Sequence, residues 1–322
     1  MKKYLKYSIV LLILVFVGLT IMAILTDALS LLKEANPLFF ALSSLFFILS
    51  IAFWVIPWGL LMEKDKKFSL RSTLILGFSC VYGALTPIQV GAEALRAIKA
   101  NEIFKVPYAE AISAAMLVKG VKFFLLAACS FIVIIAVFLE ATLSPAMFFG
   151  LLSGFIVILL ASALFLLPLN RACGLAISKF FKALAPFIPL FQILEKYFEK
   201  YSSYLKTLQK GAFGKVFAMS ALSFFLEFVA LFFAFASLNI FIAVVPLVVL
   251  FILIAVLEKT PLLPRGIGLV EVAGFVFLSI PSFSQLDLTT AQIGAILVLF
   301  DVVRLVIPTV LSLAVSFIKI KH

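Results

Sequence analysis

Long apolar stretches recur along the chain at about 8–25, 37–61, 72–86, 108–137, 146–168, 213–236, 239–257, 268–281 and 289–318. They lack the apolar–polar alternation of barrel strands, so each predicts a helix. A helix rising 1.5 Å per residue needs about 20 apolar residues to cross roughly 30 Å of hydrocarbon. Most of the stretches suffice. Two do not: 72–86 reaches only ~22 Å at that rise, and 268–281 also falls short. The expected fold class is all-α, a polytopic integral membrane helical bundle forming a single transmembrane domain over residues 1–322.

Both short stretches flank a break of related sequence. The first is Thr86-Pro87-Ile88-Gln89-Val90-Gly91-Ala92-Glu93, with Arg96 just beyond. The second is Thr260-Pro261-Leu262-Leu263-Pro264-Arg265-Gly266-Ile267-Gly268-Leu269-Val270-Glu271. Thr-Pro occurs nowhere else in the chain. Each copy breaks an apolar segment, with Pro87 and Gly91 or with Pro261, Pro264, Gly266 and Gly268, and then supplies a carboxylate and a nearby arginine. Paired interruptions of this kind point to a binding site near the membrane midplane. Joining 72–86 to 91–101, and 239–257 to 268–281, predicts two re-entrant hairpins, one over 72–101 and one over 239–281.

Charge placement fits that topology. Lysine and arginine cluster in the N-terminal tail (Lys2, Lys3, Lys6), in loop 62–71, in 96–107, in 169–212 and in the C-terminal tail (Lys319, Lys321). The remaining loops hold only Lys33 beside Asp27, Glu34, Glu140 and Asp287. The positive-inside rule then makes both termini cytoplasmic in a multi-pass protein of the cell membrane. The apolar run 8–25 reads as the first transmembrane helix, since it is long for a signal peptide. Counting crossings, the second hairpin enters from the outside, inverted relative to the first, so the two breaks can meet near the midplane.

Composition narrows the function classes. Hydrophobic residues make up 65% of the chain and charged residues 13%, and mean hydropathy is +1.28. The net charge of +11 is a topology signal and an attraction to anionic inner-leaflet lipid, not a nucleic-acid footprint. Cys80, Cys129 and Cys173 are scattered and read as small apolar packers. The sole histidine is His322, which argues against a histidine-built metal site or an internal histidine base. With no Walker loop, hydrolase elbow, Rossmann fingerprint or deaminase signature, no cofactor, ATP drive or catalytic residue is expected.

Segment 170–212 is the long polar connection. Leu190, Leu194, Tyr197, Phe198, Tyr201, Tyr204, Leu205 and Leu208 share one helical face, opposite Glu195, Lys196, Glu199, Lys200, Lys206 and Lys210. This predicts an amphipathic helix resting on headgroups; the alternative is a dock for a soluble partner, such as a lipid-modifying enzyme.

Ionisable groups at membrane depth are costly, so each is a candidate for function. Glu93 and Arg96 stand at i and i+3, either as a pair sealing the break or as headgroup contacts. Arg265, with its planar fork, is the first choice for a phosphate contact, and Glu271 is a candidate partner for it. Glu258 and Lys259 precede the second break as candidate caps. Lys119 and Lys122 share a face of 108–137 too deep for easy snorkelling, with Glu227 as the obvious counter-charge. Asp301 and Arg304 form an i, i+3 couple on the last helix, read as self-paired.

The order Pro87, Gly91, Glu93, Arg96, Ala97, then Pro264, Gly266, Gly268, Glu271, then Arg304 and Pro308 resembles the lysylphosphatidylglycerol synthase transmembrane, flippase-like family over nearly the whole chain. The resemblance implies re-entrant helices and a role in moving lipids across the bilayer, without the soluble domain that makes lysyl-lipid in longer relatives. Lys122, where the family often has Asp, and Arg265, where small residues are common, depart from it. The expected function is a flippase or transporter for an anionic or aminoacylated lipid headgroup, with membrane lipids as partners. The alternatives are an intramembrane enzyme using Glu93 or Glu271 as base, and a scaffold recruiting a cytosolic synthase.

Overall fold

The computed structural model describes residues 2–62, 69–85, 91–140, 145–188, 190–208, 211–259 and 264–318. Among them the chain is helical and has no strand. The helices are α1 (Lys2–Leu25), α2 (Leu29–Glu34), α3 (Pro37–Met62), α4 (Leu70–Phe78), α5 (Gly91–Phe104), α6 (Tyr108–Glu140), α7 (Pro145–Leu166), α8 (Arg171–Leu184), α9 (Leu190–Lys206), α10 (Ala212–Ser237), α11 (Val244–Glu258), α12 (Leu269–Ser279), α13 (Pro281–Ser284), α14 (Thr290–Asp301) and α15 (Ile307–Ser316). Among the described residues, five stretches are long and apolar enough to cross a bilayer: Pro37–Met62, Tyr108–Ile135, Leu152–Leu169, Ala212–Ser237 and Thr290–Ser316. The chain is therefore a multi-pass, all-α membrane protein. The helical stretches Leu70–Leu85, Val244–Glu258 and Leu269–Ser279 are apolar but shorter.

α3 and α10 form the central pair. Small polar side chains let the two backbones approach: Ser43 Oγ donates to Ala230 O at 2.7 Å and Ser223 Oγ to Ser50 O at 2.8 Å. In lipid, such close contacts and interhelical hydrogen bonds replace the hydrophobic effect as the source of association. α11 and α14 pack against this pair through Leu250, Ile254, Ile296 and Phe300.

α4 starts where the Ser69 side chain accepts from Ser72 N at 3.1 Å, a good N-cap. It lies against α3 because Gly77 has no side chain. A Cβ there would sit 2.0 Å from Val55 Cγ1. Beyond α4, a 3-10 turn over Val81–Leu85 is tied to α15. Ser312 Oγ accepts from Tyr82 N at 2.9 Å and donates to Phe78 O. The same turn touches the residues Pro264–Gly266. The two sequence breaks, distant along the chain, are thus neighbours in space. Pro87 and Pro261, read as helix breaks, lie outside the described residues. Gly91 is the first residue of α5.

One expectation is corrected. The aromatic face of α9 does not rest on headgroups. Phe198, Tyr201, Tyr204 and Leu205 are buried with Trp58, Leu61, Val118 and Phe181. Tyr201 Oη donates to Phe165 O at 2.7 Å and Tyr204 Oη to Leu61 O at 3.2 Å. Burial pushes both phenols well above their ordinary pKa, which keeps them neutral donors. Periodicity identifies an apolar face but not what covers it. Here the cover is α6, α8 and the C-terminal end of α3.

Candidate functional site

Between the two breaks lies a cavity of about 80 Å³, walled by Phe47, Ile51 and Trp54 of α3 and by Val81 and Ala84 of the turn after α4. Its charged lining comes from five places along the chain: Glu93, Lys119 with Lys122, Glu227, Lys259 and Arg265. α5 contributes Glu93 from its first turn, where a carboxylate complements the helix dipole. α6 contributes Lys119 and Lys122, one turn apart on one face. Lys119 Nζ lies 3.3 Å from Glu93 Oε1, and Lys122 Nζ lies 2.7 Å from Glu227 Oε1. The second oxygen of Glu93 is buried with no hydrogen-bond partner among the described residues.

The pairing differs from the one expected. Glu93 turns to Lys119 rather than to Arg96. Glu227 takes Lys122 and leaves Lys119 to Glu93. Arg96 does not line the cavity. Its guanidinium is buried, 4.6 Å from the centroid of the Trp54 ring and 5.2 Å from that of Trp58. On a helix, i and i+3 neighbours can meet, but here α6 and α3 supply alternative partners.

The second break is an irregular turn. Arg265 sits at φ 49°, ψ 29°, Gly266 at φ 67° and Gly268 at φ 88°. The left-handed region is easy for glycine and strained for arginine. The arginine's own contacts hold it there. Nη1 donates to Arg304 O at 2.7 Å, and Nη2 lies 3.6 Å from Glu258 Oε1. Pro308, four residues on, has no N–H to give to that carbonyl in α-helical register. α12 then starts at Gly268, whose N–H is accepted by Glu271 Oε2.

Arg304 is the hub behind this turn. It lies in a π-helical turn over Val302–Val306, a distortion frequent at functional sites. The fully buried guanidinium reaches Glu258 at 2.9 Å and Glu271 at 2.8 Å, and also bonds Asp301. Nη1 further donates to Arg265 O at 3.2 Å. Thus the expected Arg265–Glu271 pair is replaced by Arg265–Glu258 and Arg304–Glu271, and the Asp301–Arg304 couple is one part of a larger network. Glu271 also edges a separate apolar groove of about 410 Å³ beside Leu14, Leu19 and Met22 of α1.

Of the sequence candidates, Glu93, Lys119, Lys122, Glu227 and Arg265 meet at the cavity. Arg96, Glu271 and Arg304 stand behind its walls. Sequence reading undervalued Glu258, taken as a cap, which binds Arg304, Arg265 and Lys259 together. The depth rule singles it out, at the end of an otherwise apolar helix, but nothing local shows which cations it meets. It also missed Lys259 as a wall and Trp54 altogether; nothing in the local sequence marks that tryptophan.

Gly266 offers a direct test of the turn. A Cβ at its positive φ would stand 2.8 Å from Leu257 O. Gly266→Ala is expected to cost on the order of 1–3 kcal/mol, seen as a lower apparent Tm of the detergent-solubilised protein.

The family described as lysylphosphatidylglycerol synthase TM region matches residues 5–312. No curated protein and no solved structure shows significant similarity to the chain. The family match spans all the elements that build the cavity, and it connects the protein to lipid handling in the membrane. On that match, the chain belongs to the lysylphosphatidylglycerol synthase TM region family.

Proposed function

We propose that this protein is a lipid flippase or transporter, not driven by ATP, that carries an anionic or aminoacylated lipid headgroup between leaflets. The observation that carries this reading is the cavity between the two breaks, where Glu93, Lys119, Lys122, Glu227, Lys259 and Arg265 converge. Charged groups at membrane depth mark substrate paths. The lining holds more cations than carboxylates, which favours a phosphate-bearing headgroup. The headgroup occupies the cavity while the acyl tails stay in lipid. Without an energy source the protein equilibrates its substrate, and a gradient or a downstream sink sets direction.

In this reading the short helices flanking the breaks form two re-entrant hairpins entering from opposite faces. The protein lies in the cell membrane with both termini cytoplasmic, in line with its lysine and arginine placement. An enzyme acting through Glu271 has less support, because Arg304 and Gly268 N already engage that carboxylate.

Proteoliposomes carrying fluorescent phosphatidylglycerol and aminoacylated lipid test the transport. Leaflet exchange is expected to exceed that of empty vesicles; no acceleration with any of several headgroups overturns the reading. Single-cysteine labelling tests the topology. Positions within 85–95 and 258–268 should react from opposite sides of the bilayer, and reaction of both from one side defeats the inverted arrangement.

A further inference from the structure

Almost every buried cation in this region has a carboxylate. Lys119 has Glu93, Lys122 has Glu227, and Lys259, Arg265 and Arg304 share Glu258. Two on α5 differ. Among the described residues Lys99 Nζ donates to Ser79, to its carbonyl at 3.1 Å and its hydroxyl at 2.9 Å. Arg96 is buried to 1% exposure, and no carboxylate among the described residues pairs with it. Its Nε and Nη2 have no hydrogen-bond partner among those residues. These two nitrogens form the side-on edge of the guanidinium, whose parallel N–H groups match two oxygens of a phosphate. Glu93, three residues earlier on α5, acts on this guanidinium electrostatically without forming a direct ion pair among the described residues, so the cation's charge is only partly offset and an anion at the fork relieves the remaining cost.

Trp54 adjoins both this fork and the charged cavity, whose wall it helps form. Its ring centroid lies 4.6 Å from Arg96 Cζ and 5.8 Å from Lys122 Nζ, a cavity residue. Trp58 stacks on Arg96 from a second direction at 5.2 Å. We infer that the Arg96 fork, with Lys99 beside it, is a second station for the phosphate of a net-anionic headgroup, reached from the cavity when the Trp54 indole swings aside. The inference rests on the transport reading and deepens it. A phosphate held first by the cavity lysines and passed to Arg96 meets two donors that no hydrogen bond among the described residues occupies. Aromatic faces stabilise the guanidinium between passages. A free phosphate ion carries the same chemistry, so the test separates the two sources.

The chain contains two tryptophans, and both contact Arg96, so intrinsic tryptophan emission reports binding here; Trp54 also lines the cavity, and the Arg96 variants separate the two. The full chain in neutral detergent is titrated with short-chain phosphatidylglycerol, short-chain phosphatidylcholine and inorganic phosphate. Phosphatidylglycerol is expected to give a saturable emission change at about tenfold or more lower concentration than phosphatidylcholine. A response to inorganic phosphate at similar concentration assigns the station to the phosphate group alone; a response to the lipid only assigns it to lipid headgroups. R96K keeps the charge without the fork and should weaken the response about tenfold. R96M should abolish it, and W58F should retain it through Trp54. Equal responses to the two lipids, or an undiminished response in R96K and R96M, overturns the station. The assay needs no translocation. Leaflet exchange without an anion-selective response sinks the station alone, and the response without exchange sinks the transport reading alone.

Discussion

Arg304→Met is expected to lower the stability of the protein by about 3–5 kcal/mol, the usual cost of removing one partner from a buried ion pair. The side chain is fully buried and serves Glu258, Glu271 and Asp301 at once. Methionine fills similar space but leaves those carboxylates facing one another in a medium that cannot solvate them. The second break also loses its clamp, because Arg304 Nη1 donates to Arg265 O. Glu258→Gln should cost less, since Arg304 then keeps Asp301 and Glu271. The measurement is apparent Tm in detergent with and without added lipid. An R304M protein melting with the wild type would mean that the network is not what holds the last helix to the second break.

Arg265→Ala is expected to slow leaflet exchange about ten- to hundredfold, the range set by one charge-assisted hydrogen bond to a headgroup. The guanidinium lines the cavity from the second break, opposite Lys119 and Lys122 from α6. Alanine at the same left-handed backbone would keep the strain and lose the anchors to Arg304 O and Glu258. Arg265→Gly removes both strain and side chain, so it separates the two effects. If exchange depends on the side chain, the alanine and glycine variants slow equally although their stabilities differ. Wild-type exchange in R265G, with a folded protein, would remove Arg265 from the substrate path.

Much of the fold was legible because bilayer thickness acts on local sequence. The apolar runs at 37–61, 108–137, 213–236 and 289–318 needed no partner to declare themselves helices, and the structure places long helices there. The glycine part of the second break was legible for a similar reason, since glycine acts on its own backbone. Gly266 and Gly268 adopt the left-handed conformations that only glycine takes easily. Arg265 was noticed for its charge, but its strained φ was not foreseen, because nothing local demands it. Its side chain is held by Arg304 O and Glu258, partners that only the packed structure supplies. The same limit explains α9, whose apolar face was found while its cover was misassigned.

The sequence by itself determined which stretches are helices, where the chain breaks, and which ionisable groups are carried into the apolar region. Those features depend on transfer free energy and backbone stereochemistry, both of which act within a few residues. The tertiary structure decided the partners: Glu93 with Lys119, Lys122 with Glu227, Arg304 with three carboxylates, and Arg96 between two tryptophans. A partner is fixed by the rotation and depth at which helices meet, and small residues such as Ser43, Gly77 and Ser223 set that approach. Such distances are sums over the whole packed bundle, so no single segment of the chain contains them.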